Sequence, residues 1–389
     1  MKPIPLALVF LLAGSPLVAQ EPPGDVLAPP PTHLHGTLLG PDGGPIPVSH
    51  VHVLPETDLR EAIASVAAGP DGTWSLEIEE TGVFLLRFTG ADHLEAMTRL
   101  LVPEAGEEIA VDARLGGHEI PDELEEVTLI GDFNDFSFGA GGVPMKRGDD
   151  GRFRATVETD ADTLAYQVLG VAGSRSINGT MGDRLVYDGG GDYRSVVGVD
   201  DGRVEIVFDP SLLRRSDAKP ATSFRDEESA PARFAALVDA LMASRTAVQE
   251  DYAARVAAGA TREEARAAYE EHDPAPDLAA LEAYLERTDD PNLRAYGLTA
   301  YLSTALSVDS TTARRALTEV PPDSPAWAVG MQTLPRAFWS AGDMASWDGY
   351  AMQALKSNPA RAVRPGLLSF LHSRARAAGE AEKADLLYA

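Results

Sequence analysis

Four of the eight histidines in this chain sit close together, at His33, His35, His50 and His52. Each pair is spaced i, i+2, so on a β-strand each pair projects from one face. Leu34, Leu38, Val51 and Val53 read as the inward set of those strands, which turns all four imidazoles outward. A turn at Pro41-Asp42-Gly43-Gly44-Pro45 makes the two strands a hairpin, and pairing about it brings the four rings onto neighbouring strands. Neutral imidazole is a good ligand for zinc, copper or nickel, so this face is a candidate Zn or Cu site. The strands supply no evident carboxylate to orient the rings from behind.

A second candidate is the stretch TLIGDFNDFSF at residues 128–138, where a short apolar strand runs into a loop. Phe133, Phe136 and Phe138 alternate with Asn134 among them. By themselves one or two of these rings read as core, and the alternation alone names no ligand for the others. Other chemistries are poorly supported. The acidic turns at 147–152, 158–163 and 188–192 lack the loop spacing of a calcium site. Neither glycine-rich stretch, 139–142 or 189–191, leads from a strand into a helix with a lysine, so no phosphate cradle is expected. There is no cysteine and no G-x-S-x-G elbow, and hence no nucleophile to name. Trp327, Phe338, Trp339, Trp347 and Tyr350 have mixed helical spacings and read first as core, second as a peptide groove.

The elements that must position these residues follow from composition and period. With 389 residues, 44% of them hydrophobic and 24% charged, the chain can build two or three cored domains. Sixty acidic against 33 basic residues leave a net charge of −27. Such a surface repels polyanions, so nucleic acid is excluded as a natural partner, and so is an anionic membrane. Residues 1–19 read as a signal peptide, with Lys2, a short apolar run and a small-residue cleavage site after Ala19. A periplasmic or extracellular location follows, with no lipid anchor on cysteine and no membrane association after cleavage. Residues 20–32 are a Pro-rich linker.

From 33 to 115 short alternating runs are broken by turns at Asp71-Gly72 and Thr81-Gly82, the spacing of a seven-strand sandwich. The sequence G-x-L, then D-G-G-P-I-P-V, D-G-T-W-S-L and T-G-V-F-L-L-R-F resembles the carboxypeptidase regulatory-like domains, which implies a prealbumin-like fold. A second β-module spans 124–210. Its G-D-F-N-D-F loop, Pro144-Met145 before a D-G-x-F turn and the Tyr166-Gln167-Val168 strand resemble the glycogen-binding modules of AMP-activated kinase, the family-48 carbohydrate-binding modules. That resemblance implies an early-set immunoglobulin-like sandwich and a glycan site at Phe133, Asn134, Phe136 and Gln167. The chain departs from the family at the site: Phe136 stands where a tryptophan is usual, Gln167 replaces a lysine, and GSRSINGT carries no second aromatic. The module is therefore a degenerate sugar reader.

Residues 211–231 read as a linker, and 232–389 switch to helical period. Phe234, Leu237, Val238, Leu241, Val248, Tyr252 and Val256 trace one stripe. Thr261 with Glu264 forms a capping box, and further helices start near Pro291, Ser310, Pro325, Asp343 and Pro359. AGDMASWDGYA and AGEAEKADLLYA recur 37 residues apart, a faint repeat that suggests helical hairpins. The expected fold is thus multidomain β + α, two tandem immunoglobulin-like or prealbumin-like sandwiches before an all-α repeat-like domain. The expected function is non-enzymatic binding or scaffolding, with a glycan or an envelope protein as partner. The alternative rests on layout. A signal peptide, a small β-module and a helical stretch such as LEAYLERTDDPNLRAYGLTAYL resemble the N-terminal portion of TlpA-type envelope thiol-disulfide reductases. In that reading the C-terminal thioredoxin domain is absent from this chain, and residues 380–389 are the start of an uncapped amphipathic helix.

Overall fold

The computed structural model describes residues 29–389 apart from 57, 58, 60, 174, 183, 214, 331, 343–346, 381, 383, 384 and 386–389. The expected signal peptide, most of the Pro-rich linker, the helix start at Asp343, much of the repeat and most of the chain's last ten residues lie outside the described residues. Alternating burial organises the first module. Strand β1 (Thr32–Leu39) buries every second residue, as a half-buried strand must. It is followed by β2 (Ser49–Pro55), β3 (Ala64–Ala67), β4 (Thr73–Ile78), β5 (Gly82–Gly90), β6 (Ala96–Val102) and β7 (Glu108–Arg114).

These strands form two sheets. One has the order β4-β1-β7, with β1 and β7 parallel, and the other the order β3-β2-β5-β6. Leu34, Leu38, Val51, Val53, Leu86 and Phe88 are fully buried between them, and Trp74 meets Phe88 edge-on at 5.7 Å. The inward set read from the sequence is correct. The hairpin is not: β1 pairs with β4 and β7, while β2 pairs with β3 and β5. The turn forms, with Gly40 N–H donating to the Gly44 carbonyl, but it carries the chain from one sheet to the other. A corner of this kind lets both strands bury their apolar faces on one another instead of sharing an edge. Gly36 permits the parallel pairing, since a Cβ there would lie 1.8 Å from the Val111 carbonyl oxygen.

The second module holds β8 (Thr128–Gly131), β9 (Val143–Pro144), β10 (Lys146–Arg147), β11 (Phe153–Glu158), β12 (Thr163–Ala172), β13 (Arg175–Ile177), β14 (Arg184–Tyr187), β15 (Tyr193–Gly198) and β16 (Arg203–Phe208). They make a β10-β11-β16 sheet and a β14-β15-β12-β8-β9 sheet, with β13 also on β12. Phe153, Tyr166, Val168, Ile206 and Phe208 fill the space between.

The expected linker at 211–231 is corrected by the next strand. β17 (Ala221–Phe224) runs antiparallel to β7 and completes the first module's sheet as β4-β1-β7-β17. Four residues, Ala221-Thr222-Ser223-Phe224, after a polar run give little strand signal by themselves. The open edge of β7, whose N–H and C=O groups need partners, recruits them.

The helical region begins at α1 (Ala230–Ala257), where the Ser229 hydroxyl accepts from Ala232 N–H and Pro231 sits in the first turn. Then come α2 (Arg262–Ala265), whose Thr261–Glu264 capping box forms as read, α3 (Ala267–Glu270), α4 (Ala275–Glu286), α5 (Pro291–Thr304) and α6 (Ser310–Glu319). After a 3-10 turn at Pro325–Val329 the order ends with α7 (Thr333–Ala341), α8 (Asp348–Ser357) and α9 (Val363–Ala377). Asp290 and Asp309 cap α5 and α6 by accepting two backbone N–H groups each. Of the α1 stripe, Phe234 to Val248 are buried, whereas Val256 is exposed because the last turns of α1 run past the core. Leu101 of β6 belongs to the helical core, and Ala232 and Ala235 of α1 belong to the first sandwich. Among the described residues no helix is long and apolar enough to cross a membrane.

Candidate functional site

The sheet assignment splits the four histidines. His33 and His35 stay on the outer face of β1, their rings stacked at 5.2 Å. Because β7 runs parallel beside β1 with His33 opposite Glu108, that face gains a carboxylate the β1 and β2 sequences did not offer. His35 Nδ1 lies 3.8 Å from Glu108 Oε1, too far for a hydrogen bond, and this buried nitrogen has no hydrogen-bond partner. Across the other edge of β1, Glu77 of β4 stands opposite His33.

His50 and His52 have a different fate. They point out of the first sandwich and into the second. His52 is 4% exposed and stacks on Tyr187 of β14 at 4.4 Å. Its Nδ1 is 2.9 Å from the Ser65 hydroxyl and its Nε2 3.3 Å from that of Thr89. His50 Nδ1 is 2.9 Å from the Tyr193 hydroxyl, which also lies 3.0 Å from Thr89 Oγ1. Asp92 N–H donates to Asn178 Oδ1 beside them. The expected four-histidine metal face therefore does not exist. One pair is surface, and the other pins two modules together.

Electrostatics agree with that role. Burial, then the neighbouring His50 and Arg87, pull the His52 imidazole down to about 4, which keeps it neutral and able to accept as well as donate. Burial, then Asp188, push the Asp192 carboxyl up to about 6 at the same junction. Burial also raises the Tyr193 phenol, so it stays a hydroxyl. Tyr187 and Tyr193 were missed from the sequence. Their strand text was clear, but nothing in it says which module the rings will meet.

At the sugar-like loop, each expected contact is bound up in the protein itself. Asn134 Oδ1 accepts from Gly131 N–H, and its Nδ2 donates to the Ser137 and Ala140 carbonyls. Gln167 is 3% exposed and donates to the Tyr193 carbonyl, so it has no group at the surface; that expectation is corrected. Phe133 packs against the second module's core. Phe136, at φ +54°, lies under the Arg194 guanidinium at 3.9 Å, one face covered by a cation. Phe138 is left 64% exposed.

In the helical region Trp327 and Phe338 are fully buried, as read. Trp339 is not: it is 61% exposed, resting edge-on against Phe370 of α9 at 6.2 Å. Along α9, Met352 lines a recess of about 140 Å³ with Leu371 and Arg374.

No family model matches the chain, and no curated protein matches it. Among solved structures, half of the chain aligns with 45% of the Bacillus anthracis TIE protein at 9% identity and a TM-score of 0.19. Half also aligns with 86% of the shaft pilin SpaA from Lactobacillus rhamnosus GG at 11% identity and a TM-score of 0.20. The chain thus spans less than half the length of the first. At these scores neither fold nor function is carried across.

Proposed function

We propose that this chain is a non-enzymatic binding and scaffold protein of the cell envelope. The two β-modules serve as a stiff arm, and the helical region carries the recognition surface for an envelope protein. The observation that supports this reading most is where the expected ligand groups go. His50, His52, Asn134 and Gln167 are all spent on internal bonds, and Phe136 is capped by Arg194. In the helical region two large apolar side chains stay free: Trp339 and Met352 flank α9, each more than half exposed. Large aromatic and methionine side chains are the usual anchors of protein contacts.

Site-specific photo-crosslinking of the full chain in its native envelope tests this. A crosslinker at position 339 is expected to capture an envelope protein, and one at position 136 is not. Capture from position 136 alone, or maltoheptaose binding that Phe136→Ala abolishes, returns the function to the sugar-like loop.

A further inference from the structure

We infer that His33, His35 and Glu108 form a binding site for one divalent transition-metal ion, of which zinc is the type. The ion would bridge β1 and β7 on the outer face of the first sandwich. The inference is independent of the scaffold reading and would hold whatever partner the helical region takes.

Geometry carries it. One ligand atom from each of the three side chains lies within 4.8 Å of the other two. Two donors on one tetrahedral zinc, at bond lengths of about 2.1 Å, stand about 3.4 Å apart. The His35 Nδ1 to Glu108 Oε1 separation of 3.8 Å is already near that value. It is too long for a direct hydrogen bond and close to right for a shared cation. His35 Nδ1 is also buried without a hydrogen-bond partner. A buried polar atom in that state costs free energy until something satisfies it, and a bound cation does so for the nitrogen and the carboxylate together.

The backbone fixes the set. The i, i+2 spacing puts both imidazoles on one face of β1, and the parallel register sets Glu108 beside His33. Two imidazoles and a carboxylate are borderline-soft nitrogen with hard oxygen, which suits zinc or copper(II) and gives little hold on calcium or magnesium. The chain's net charge of −27 raises the local concentration of cations around it.

Three protein ligands leave a coordination position open. An outside group has room there. His35 and Glu108 line a cavity of about 500 Å³ that continues past Arg225 to Pro231 in the first turn of α1.

The experiment is calorimetric titration of the full metal-free chain with Zn²⁺ at neutral pH, with Cu²⁺ and Mg²⁺ in parallel. One equivalent of Zn²⁺ should bind, Cu²⁺ should bind at least as tightly, and Mg²⁺ should not compete. His33→Ala and His35→Ala should each weaken Zn²⁺ by more than about tenfold, and Glu108→Gln should weaken it less. His50→Ala should leave it unchanged. His33, His35 and Glu108 lie on the outer face, His50 lies at the junction with the second module, and circular dichroism verifies that each variant is folded. Absence of Zn²⁺ binding, binding that survives His33→Ala and His35→Ala together, or equal competition by Mg²⁺ would each overturn the inference. Crosslinking from position 339 is read separately, so neither result decides the other.

Discussion

His52 shows how a single side chain changes meaning once its surroundings are known. In sequence it is one of four outward imidazoles; in the fold it is a neutral ring between two modules. Its pKa of about 4 has a direct consequence for stability. Between about pH 6.5 and 4 the unfolded chain takes up a proton there and the folded chain does not, so stability falls as pH drops through that window. His118, also lowered to about 4, first by burial and then by Arg175, acts in the same direction. Asp192 opposes them: held up to about 6, it keeps its proton in the fold where the unfolded chain has lost it, which favours the fold between about pH 6 and 4. Two groups outweigh one. With His50 also lowered by burial, these groups together cost the fold stability between pH 7 and pH 4.5, seen as a lower midpoint in denaturant titrations. His52→Phe keeps the stack on Tyr187 and should flatten that pH dependence while lowering stability at pH 7. An unchanged slope in His52→Phe would place the acid sensitivity elsewhere. Tyr193→Phe tests the same junction at constant pH. It removes the hydroxyl that lies between His50 and Thr89 and should cost about 1–3 kcal/mol by the same titration.

At the scale of elements, β1 and β17 are the informative cases. The alternation of Leu34 and Leu38 with His33 and His35 was enough to make β1 a strand with known faces. Its partners were not readable, because period reports which side is apolar and says nothing of what lies at the edges. Gly36 sits against the β7 backbone at Val111. Gly36→Ala should break the parallel pairing, since the added methyl meets a carbonyl oxygen at 1.8 Å. We expect little folded protein on expression, and for any that folds, a loss of Zn²⁺ binding together with the register that sets Glu108 beside His33. β17 lay inside an expected linker because four residues cannot announce a strand; an unpaired edge on β7 selected them. Helix starts are set locally, since Ser229, Thr261, Asp290 and Asp309 carry capping chemistry that needs no distant partner, and of these the Thr261 cap is read from the sequence.

Across the whole molecule, the modules share core residues and are not beads on a string. Leu101 leaves β6 to join the helical core, and Ala232 and Ala235 leave α1 to join the first sandwich. Arg99 and Glu56 pair at 2.8 Å on the same sheet, and burial raises the Asp239 carboxyl facing Arg99 from α1. Calorimetry should therefore show the first sandwich and the helical region melting as one unit. Leu101→Ala should cost about 2–5 kcal/mol and split that transition in two. A wild-type chain that already melts in separate steps would contradict the shared core.

From the sequence alone came the β-then-α order, inward residues of the first module's strands and the Thr261–Glu264 capping box, because each depends on neighbours within a turn or two, and the absence of thiol chemistry followed from composition. Tertiary structure decided the rest. Which strand lies beside β1, which module covers His52 and which polar groups are consumed by the loop that displays Phe136 all depend on residues up to 143 positions apart. The free energy that chooses among such pairings is collective burial of apolar faces, and no local pattern encodes it. For the same reason a face read as four histidines became, in three dimensions, two histidines and a glutamate.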